Sequence, residues 1–166
     1  MSDYVRDRDH EHANAFLLQR VQPALAGLMD GSLSTIAPIF AVALATHEPR
    51  YAFIAGLATA FGAGISMAFS EGLSDTGELT GRGNPVVRGA ITGVGTFVGG
   101  ILHTLPFLIP EYHTALVAAI VVVAFELLAL AWLRYRFFET SFIRSFATVT
   151  IGGVAIAVVS AAVGSA

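Results

Sequence analysis

Three acidic residues, Asp30, Glu71 and Glu126, interrupt long apolar stretches of the sequence. A charge at the centre of a membrane-spanning helix costs roughly 2.5–3.5 kcal/mol on insertion scales, so each such residue needs a function or a partner. Asp30 begins the motif Asp-Gly-Ser-Leu-Ser-Thr, in which Ser34 follows it by one helical turn. Glu71 ends the motif Ser-Met-Ala-Phe-Ser-Glu, in which Met67 precedes it by one turn. Carboxylate, hydroxyl and thioether groups at helical spacing suit a metal ion.

Four acidic or sulfur-bearing side chains follow one another at spacings of four, four and three residues, which places them on one face of a helix. They are Met67, Glu71, Asp75 and Glu78. At about 1.5 Å per residue, Asp30 lies about 10 Å from the start of its helix and Met67 about 24 Å from the start of an antiparallel one. In a hydrocarbon core of about 30 Å the two reach nearly the same depth, with Glu71 one turn closer to the cytoplasm. We predict a metal site at Asp30, Met67 and Glu71, with Asp75 and Glu78 where the metal enters.

The ligand types predict a transition metal at this site. Carboxylate and hydroxyl oxygens suit Mn²⁺ or Fe²⁺, and a thioether favours these metals over Mg²⁺ and Ca²⁺. A structural alternative stays open, in which Asp30 caps a helix break and Met67 fills a packing gap. The segment Asp7 to His12 is also rich in carboxylates and imidazoles, but we interpret it as part of a solvated tail.

Glu126 lies near the middle of another apolar segment, where two interpretations stay open. It either relays protons, or it is a protonated carboxyl that is hydrogen-bonded to a neighbour. His103, Glu111 and His113 lie near the opposite membrane face from Glu71, where they could receive an exiting cation. A loop with ordinary polar residues is the favoured alternative for that group.

Composition identifies the kind of element that must position these residues. Of the 166 residues, 55% are hydrophobic and only 13% are charged, about half the usual share of charge in a soluble domain. The absence of cysteine excludes disulfide scaffolds, and a net charge of −3 without a basic run argues against nucleic acid as a partner. No Ser/His/Asp or Cys/His set falls at one depth, so we expect no enzyme. The sequence predicts a small polytopic membrane protein.

Five apolar segments are long enough to cross a bilayer, which takes roughly 20 residues each. We predict spans over residues 23–46, 51–73, 86–109, 114–133 and 142–164. The domain organisation is then a cytoplasmic tail over 1–20, with a short interfacial helix over 13–21, and a five-helix transmembrane domain over 21–166. Small residues spaced by four in the second span, from Gly56 to Gly72, predict close helix packing.

The arginines predict the orientation. All nine basic residues are arginines. Eight fall on one side of a five-span arrangement, and only Arg50 falls on the other. The positive-inside rule therefore places the N-terminus in the cytoplasm. No signal peptide is visible, so the first span is expected to act as its own insertion signal.

The two motifs beginning at Asp30 and Ser66 together resemble the vacuolar iron transporter family. The similarity covers residues 21–166 and is closest to the membrane domain of bacterial membrane-bound ferritin iron exporters. It implies a homodimer of five-helix protomers, with an ion path at the dimer interface and export of Fe²⁺, or Mn²⁺, from the cytosol in exchange for protons. Asp30, Met67 and Glu71 correspond to pathway ligands, whereas Glu126 has no counterpart in the motifs. The resemblance implies a multi-pass protein of a bacterial inner membrane, with lipid as its surroundings and no permanently bound cofactor.

The sequence departs from that family where metal is collected. Plant-type members insert a Glu- and Met-rich helical domain after the second span, whereas here the connection is only about Gly72 to Pro85. The ferritin exporters carry a di-iron domain before the first span, whereas here about twenty residues precede it and contain no Glu-x-x-His pair. We therefore expect either a ferritin-like protein as iron donor, or a non-transporting structural or accessory subunit that retains the fold.

Overall fold

The computed structural model describes residues 12–138 and 141–165. In these ranges every regular element is helical, with no strand, and five helices are long and apolar enough to cross a membrane. They are α1 (His12–Thr46), α2 (Pro49–Gly72), α3 (Pro85–Leu102), α4 (Tyr112–Phe137) and α5 (Phe142–Gly164). The prediction of an all-α protein with five potential spans is confirmed at the level of helix length and composition.

Local sequence signals explain where α2 to α5 begin. Pro49 and Pro85 occupy the first turns of α2 and α3, where the missing N–H of proline costs no hydrogen bond. The Asn84 side chain accepts two backbone hydrogen bonds from the first turn of α3, and the Ser141 hydroxyl accepts the N–H of Arg144 at 3.3 Å. These helices therefore begin within about two residues of the predicted starts, inside the usual boundary error.

The first helix is longer and less regular than predicted. The segment over 13–21, expected as a separate interfacial helix, is continuous with the span through a π-helical turn at Leu17–Val21. The 35 residues of α1 correspond to a length of about 52 Å, well above the roughly 30 Å of a bilayer core. Regular α-geometry is interrupted at Thr35, because Pro38 has no N–H to donate to the carbonyl of Ser34. The tail residues 1–11 lie outside the described ranges.

The third helix is shorter than predicted. The expected span over 86–109 ends at Leu102, and a 3₁₀ turn at Leu105–Leu108 follows it. Pro106 explains the early end, because a proline at that position would clash with the carbonyl four residues before it and has no N–H to donate. His103 consequently caps the end of α3 instead of lying within a helix.

Helix α3 packs by its backbone against α1 on one side and α2 on the other. A Cβ added to Gly99 would lie 2.5 Å from the carbonyl oxygen of Leu28 on α1. On the α2 side, a Cβ at Gly93 would lie 2.7 Å from the carbonyl oxygen of Gly64. The small residues of α2 thus permit the close approach that their spacing predicted.

A second packed region joins the remaining helices. Its core is formed by six buried residues from α1, α2, α4 and the 3₁₀ turn: Ile39, Ala43, Ala52, Phe107, Ala115 and Ala119. Phe40 and Phe107 meet edge to face, with ring centroids 6.1 Å apart. Helix α5 packs against α4 and the second half of α1. Large apolar side chains such as Phe125 and Ile151 are exposed on the outer faces of α4 and α5, as lipid contact requires.

We expect Gly93→Ala to destabilise the protein by about 1–3 kcal/mol, because the added methyl group overpacks the contact between α2 and α3. Gly62→Ala is the matched control, since nothing lies within 4 Å of a Cβ at that position and alanine favours a helix. The measurement is the thermal unfolding temperature of each variant in detergent. Equal unfolding temperatures for both variants would contradict the close packing of α3.

Candidate functional site

Asp30 lies on a part of α1 that α3 holds in place. Gly27 and Gly31 lie against the backbone of Thr92 and Thr96 so closely that a Cβ on either glycine would overlap a carbonyl oxygen. The Asp30 side chain is half-buried, and it forms no hydrogen bond or ion pair with any residue that the structure describes. A carboxylate in a spanning helix without such a partner is available to a ligand.

The three predicted metal ligands are more widely separated along the helix axes than expected. Gly31 lies opposite Thr96 of α3, whereas Gly72, which adjoins Glu71, lies opposite Gly89. At about 1.5 Å per residue along α3, these levels differ by about 10 Å, or two turns. The sequence predicted one turn. Met67 lies between the two levels, where it is half-buried.

Glu71 forms ion pairs with two arginines from the start of α3 and the connection before it. Its Oε1 atom lies 2.6 Å from Nη2 of Arg82 and 2.8 Å from Nε of Arg88. Asp75 contacts the same two guanidinium groups, at 3.0 Å for Arg82 and 3.2 Å for Arg88. Two of the acids assigned to metal binding or uptake are therefore occupied by arginines in this structure.

Arg88 is the centre of this ion-pair cluster, which consists of Glu71, Asp75, Arg82 and Arg88. Its side chain is only 1% exposed, and it also donates to the carbonyl oxygen of Gly83 at 3.3 Å. In the sequence, Arg82 and Arg88 contributed only to the predicted orientation. The available signal was that Arg88 lay inside a predicted span, where a charge needs a partner.

Asp75 lies outside the spanning helices, and its surroundings favour the ionised form. Partial burial opposes ionisation. The N–H of Gly77, the charge of Arg88 and the hydrogen bonds from Arg82 and Thr80 outweigh it, so the pKa of Asp75 lies below its ordinary value. Asp75 therefore keeps its negative charge at neutral pH.

The described residues of one copy of the chain do not form a complete metal site. Within residues 12–138 and 141–165, no group of three or more His, Asp or Glu side chains could hold an ion. Glu78, predicted where the metal enters, is exposed in the connection between α2 and α3. The role of these residues in metal binding stays a prediction.

A second set of polar residues, which the sequence did not predict to lie together, is buried among α1, α3 and α4. His103 Nδ1 lies 2.8 Å from Oε2 of Glu126, and His103 Nε2 lies 2.8 Å from the hydroxyl of Thr35. His103 and Thr35 are fully buried, and Glu126 is 6% exposed. The neighbour expected for Glu126 is thus His103, which the early end of α3 brings to this level. Both ring nitrogens of His103 are occupied, which argues against its predicted role in receiving a cation.

The predicted outer cluster of His103, Glu111 and His113 is not a cluster. Glu111 caps α4 and accepts hydrogen bonds from the backbone N–H groups of His113 at 2.9 Å and Thr114 at 2.6 Å. The hydrogen bonds from the side chain and backbone of Thr114, followed by that from His113, lower the pKa of Glu111 to about 2. Glu111 has the ordinary structural role that was the favoured alternative.

Comparison of the chain with protein-family models, curated proteins and solved structures found no match.

We expect Arg88→Leu to destabilise the protein by about 3–5 kcal/mol, because it leaves part of a buried ion-pair cluster without its counter-charge. Arg88→Lys keeps the charge but loses the planar fork, so it should fall between this variant and the wild type. Arg50→Leu is the matched control, since Arg50 is exposed at the start of α2. Unfolding temperatures in detergent provide the measurement. An equally small decrease in unfolding temperature for Arg88→Leu and Arg50→Leu would show that the ion-pair cluster contributes little to stability.

Glu111 predicts a pH dependence of stability. Its pKa is about 2 in the folded protein against an ordinary 4.5, so its contribution is fully present above 4.5 and is lost as pH falls towards 2. Glu111→Gln should remove this part of the acid destabilisation. Glu48→Gln should not, because Glu48 precedes α2 at the equivalent position and makes no capping hydrogen bond. Unfolding temperatures measured from about pH 6 to about pH 2, which covers the transition, check the difference; parallel curves for the two variants would refute it.

Proposed function

We propose that this protein exports a divalent transition metal, Fe²⁺ or Mn²⁺, from the cytosol in exchange for protons. The observation that carries the proposal is Asp30, a half-buried carboxylate in a spanning helix without a hydrogen-bond or ion-pair partner in the part of the chain that the structure describes. Such a group is costly unless a cation or a proton neutralises it. The family resemblance of the motifs around Asp30 and Met67 gives the class of cation.

The proposed site requires a second copy of the chain. One copy offers the Asp30 carboxylate and the Met67 thioether at neighbouring levels, which is too few ligands for a transition metal. In a homodimer with the path at its interface, each of these ligands would be present twice. The orientation proposed from the arginines places the ion-pair cluster on the cytoplasmic side of a bacterial inner membrane, where a ferritin-like donor could deliver iron.

The ion-pair cluster has a defined place in this proposal. Glu71 and Asp75 can bind an incoming cation only when they separate from Arg82 and Arg88, because a carboxylate oxygen at 2.6–3.2 Å from a guanidinium nitrogen leaves no space for a metal ion between them. Metal uptake is therefore a competition between a divalent cation and two guanidinium groups for the same oxygens.

Transport of ⁵⁵Fe²⁺ into inside-out membrane vesicles tests the proposal. We expect proton-gradient-dependent uptake by the wild type and a loss of at least about tenfold in Asp30→Asn, by analogy with the effect of losing groups at metal sites. Glu48→Gln removes one exposed carboxylate outside the spans and should transport normally. Equal, gradient-dependent uptake by Asp30→Asn and the wild type would remove Asp30 from the mechanism.

The second candidate function is a structural or accessory membrane subunit. The pairing of Glu71 and Asp75 with arginines favours it, because these acids are then structural groups. Thermal unfolding with and without metal separates the two functions, since a ligand of the folded state stabilises it by about 2.7 kcal/mol at a hundred times its Kd. An unfolding temperature that neither Fe²⁺ nor Mn²⁺ raises would favour the accessory subunit.

A further inference from the structure

A continuous chain of hydrogen bonds crosses the buried interior from α1 to α4. The Thr35 hydroxyl donates to the carbonyl oxygen of Gly31 at 2.7 Å and lies 2.8 Å from Nε2 of His103. The other ring nitrogen of His103 lies 2.8 Å from Oε2 of Glu126. The second carboxyl oxygen of Glu126, Oε1, is buried and has no hydrogen-bond partner among the described residues.

The number of hydrogens in this chain decides its protonation state. Three links need three hydrogens. The Thr35 hydroxyl supplies one, a neutral imidazole supplies one, and an ionised carboxylate supplies none. The neutral ring and ionised carboxylate therefore leave one link without a hydrogen. All three links form together only when His103 and Glu126 hold one additional proton.

The position of that proton follows from the direction of the Thr35 hydrogen bond. When the hydroxyl donates to Gly31, Nε2 of His103 must donate to the hydroxyl oxygen. The link between Nδ1 and Oε2 then contains either an imidazolium donating to a carboxylate or a carboxylic acid donating to a neutral ring. The two forms differ by the transfer of a proton across 2.8 Å, and both are neutral overall.

We propose that His103 and Glu126 form a single buried proton-binding site that Thr35 orients. Release transfers the Nε2 proton to water outside the protein, and the Thr35 hydroxyl turns from Gly31 to donate to the freed nitrogen. Nδ1–H then donates to the Glu126 carboxylate, so two links remain and the pair carries one negative charge. Rebinding restores the Thr35 link to Gly31.

No other charged side chain among the described residues forms a hydrogen bond or ion pair with His103 or Glu126. Besides Glu126, the helices packed around the pair carry the following charged groups and histidines: His12, Arg20 and Asp30 on α1, Arg50 and Glu71 on α2, Arg88 on α3, His113, Arg134 and Arg136 on α4, and Arg144 on α5. The 3₁₀ turn carries none. Asp30 is five residues before Thr35, or about 7.5 Å along α1. A cation at Asp30 would favour the negatively charged form of the pair and hence proton release; this coupling rests on the proposed transport function.

The site itself can be tested without metal or transport. The full chain is reconstituted in lipid nanodiscs with ¹⁵N-labelled imidazoles, after replacement of the other four histidines by glutamine (His10, His12, His47 and His113). We expect ¹⁵N chemical shifts to show His103 with one more bound proton below a pH transition than above it. In Glu126→Gln, which keeps the shape but not the charge, this transition should move or disappear.

Thr35 provides a second pair of variants in case Glu126→Gln does not fold. Thr35→Ser keeps the hydroxyl and should reproduce the wild-type transition, whereas Thr35→Val removes the partner of Nε2 and should displace it. Two results would overturn the proposal. His103 and Glu126 could keep one protonation state across the pH range in which the protein is folded, or His103 could titrate identically in the wild type, Glu126→Gln and Thr35→Val.

The same protein, with Mn²⁺ binding measured in nanodiscs and ⁵⁵Fe²⁺ transport measured in vesicles, separates this proposal from the proposed transport function. A proton transition at His103 in a protein that neither binds Mn²⁺ nor transports ⁵⁵Fe²⁺ would support the site and remove the transport function. Proton-coupled transport by a protein whose His103 shows no transition would overturn the site and leave the transport function in place.

Discussion

The backbone contact of α3 with both α1 and α2 is the constraint on which the rest of the structure depends. Lipid removes most of the hydrophobic drive for helices to associate, so close van der Waals packing must supply it. The glycines at these contacts leave no side chain between the helices, and a shift of α3 along either neighbour would bring carbonyl oxygens into collision. The register of the three helices is consequently fixed, and with it the level of every polar group that they carry.

This fixed register places the polar groups at three levels. The ion-pair cluster lies at the start of α3, and the chain from Thr35 to Glu126 lies at its end. Thr96, opposite Gly31, is eight residues after Arg88 and seven before His103. Asp30 therefore lies near the midpoint of α3, between two groups whose charges are already compensated. The low polarity of the protein interior strengthens the hydrogen bonds within both groups. Asp30 has no such partner among the described residues, so it is the acid of this region that most needs a ligand.

The sequence predicted what depends on local chemistry and missed what depends on register. Composition and length were sufficient for five helices, and the four-residue spacing of small side chains was sufficient for the packing of α2. The partners of Glu71 and Glu126 could not be predicted, because they lie in α3 or directly before and after it, and their levels depend on how α3 packs and where it ends. Pro106 indicated that α3 ends early, but only the packed helices show that this end places His103 beside Glu126. The metal site stays a prediction, because the described part of one copy does not bring its ligands together.

The irregularity of α1 at Thr35 divides that helix between two bodies. Residues before it pack mainly on α3, whereas residues after it pack mainly on α5 and α2. Because the carbonyl of Ser34 lacks its usual donor at Pro38, bending there disrupts fewer hydrogen bonds than elsewhere in the helix. Bending at Thr35 would therefore change the angle between the two halves of α1. The hydroxyl of Thr35 also contacts His103. A bend in α1 at Thr35 would therefore change the surroundings of the buried imidazole.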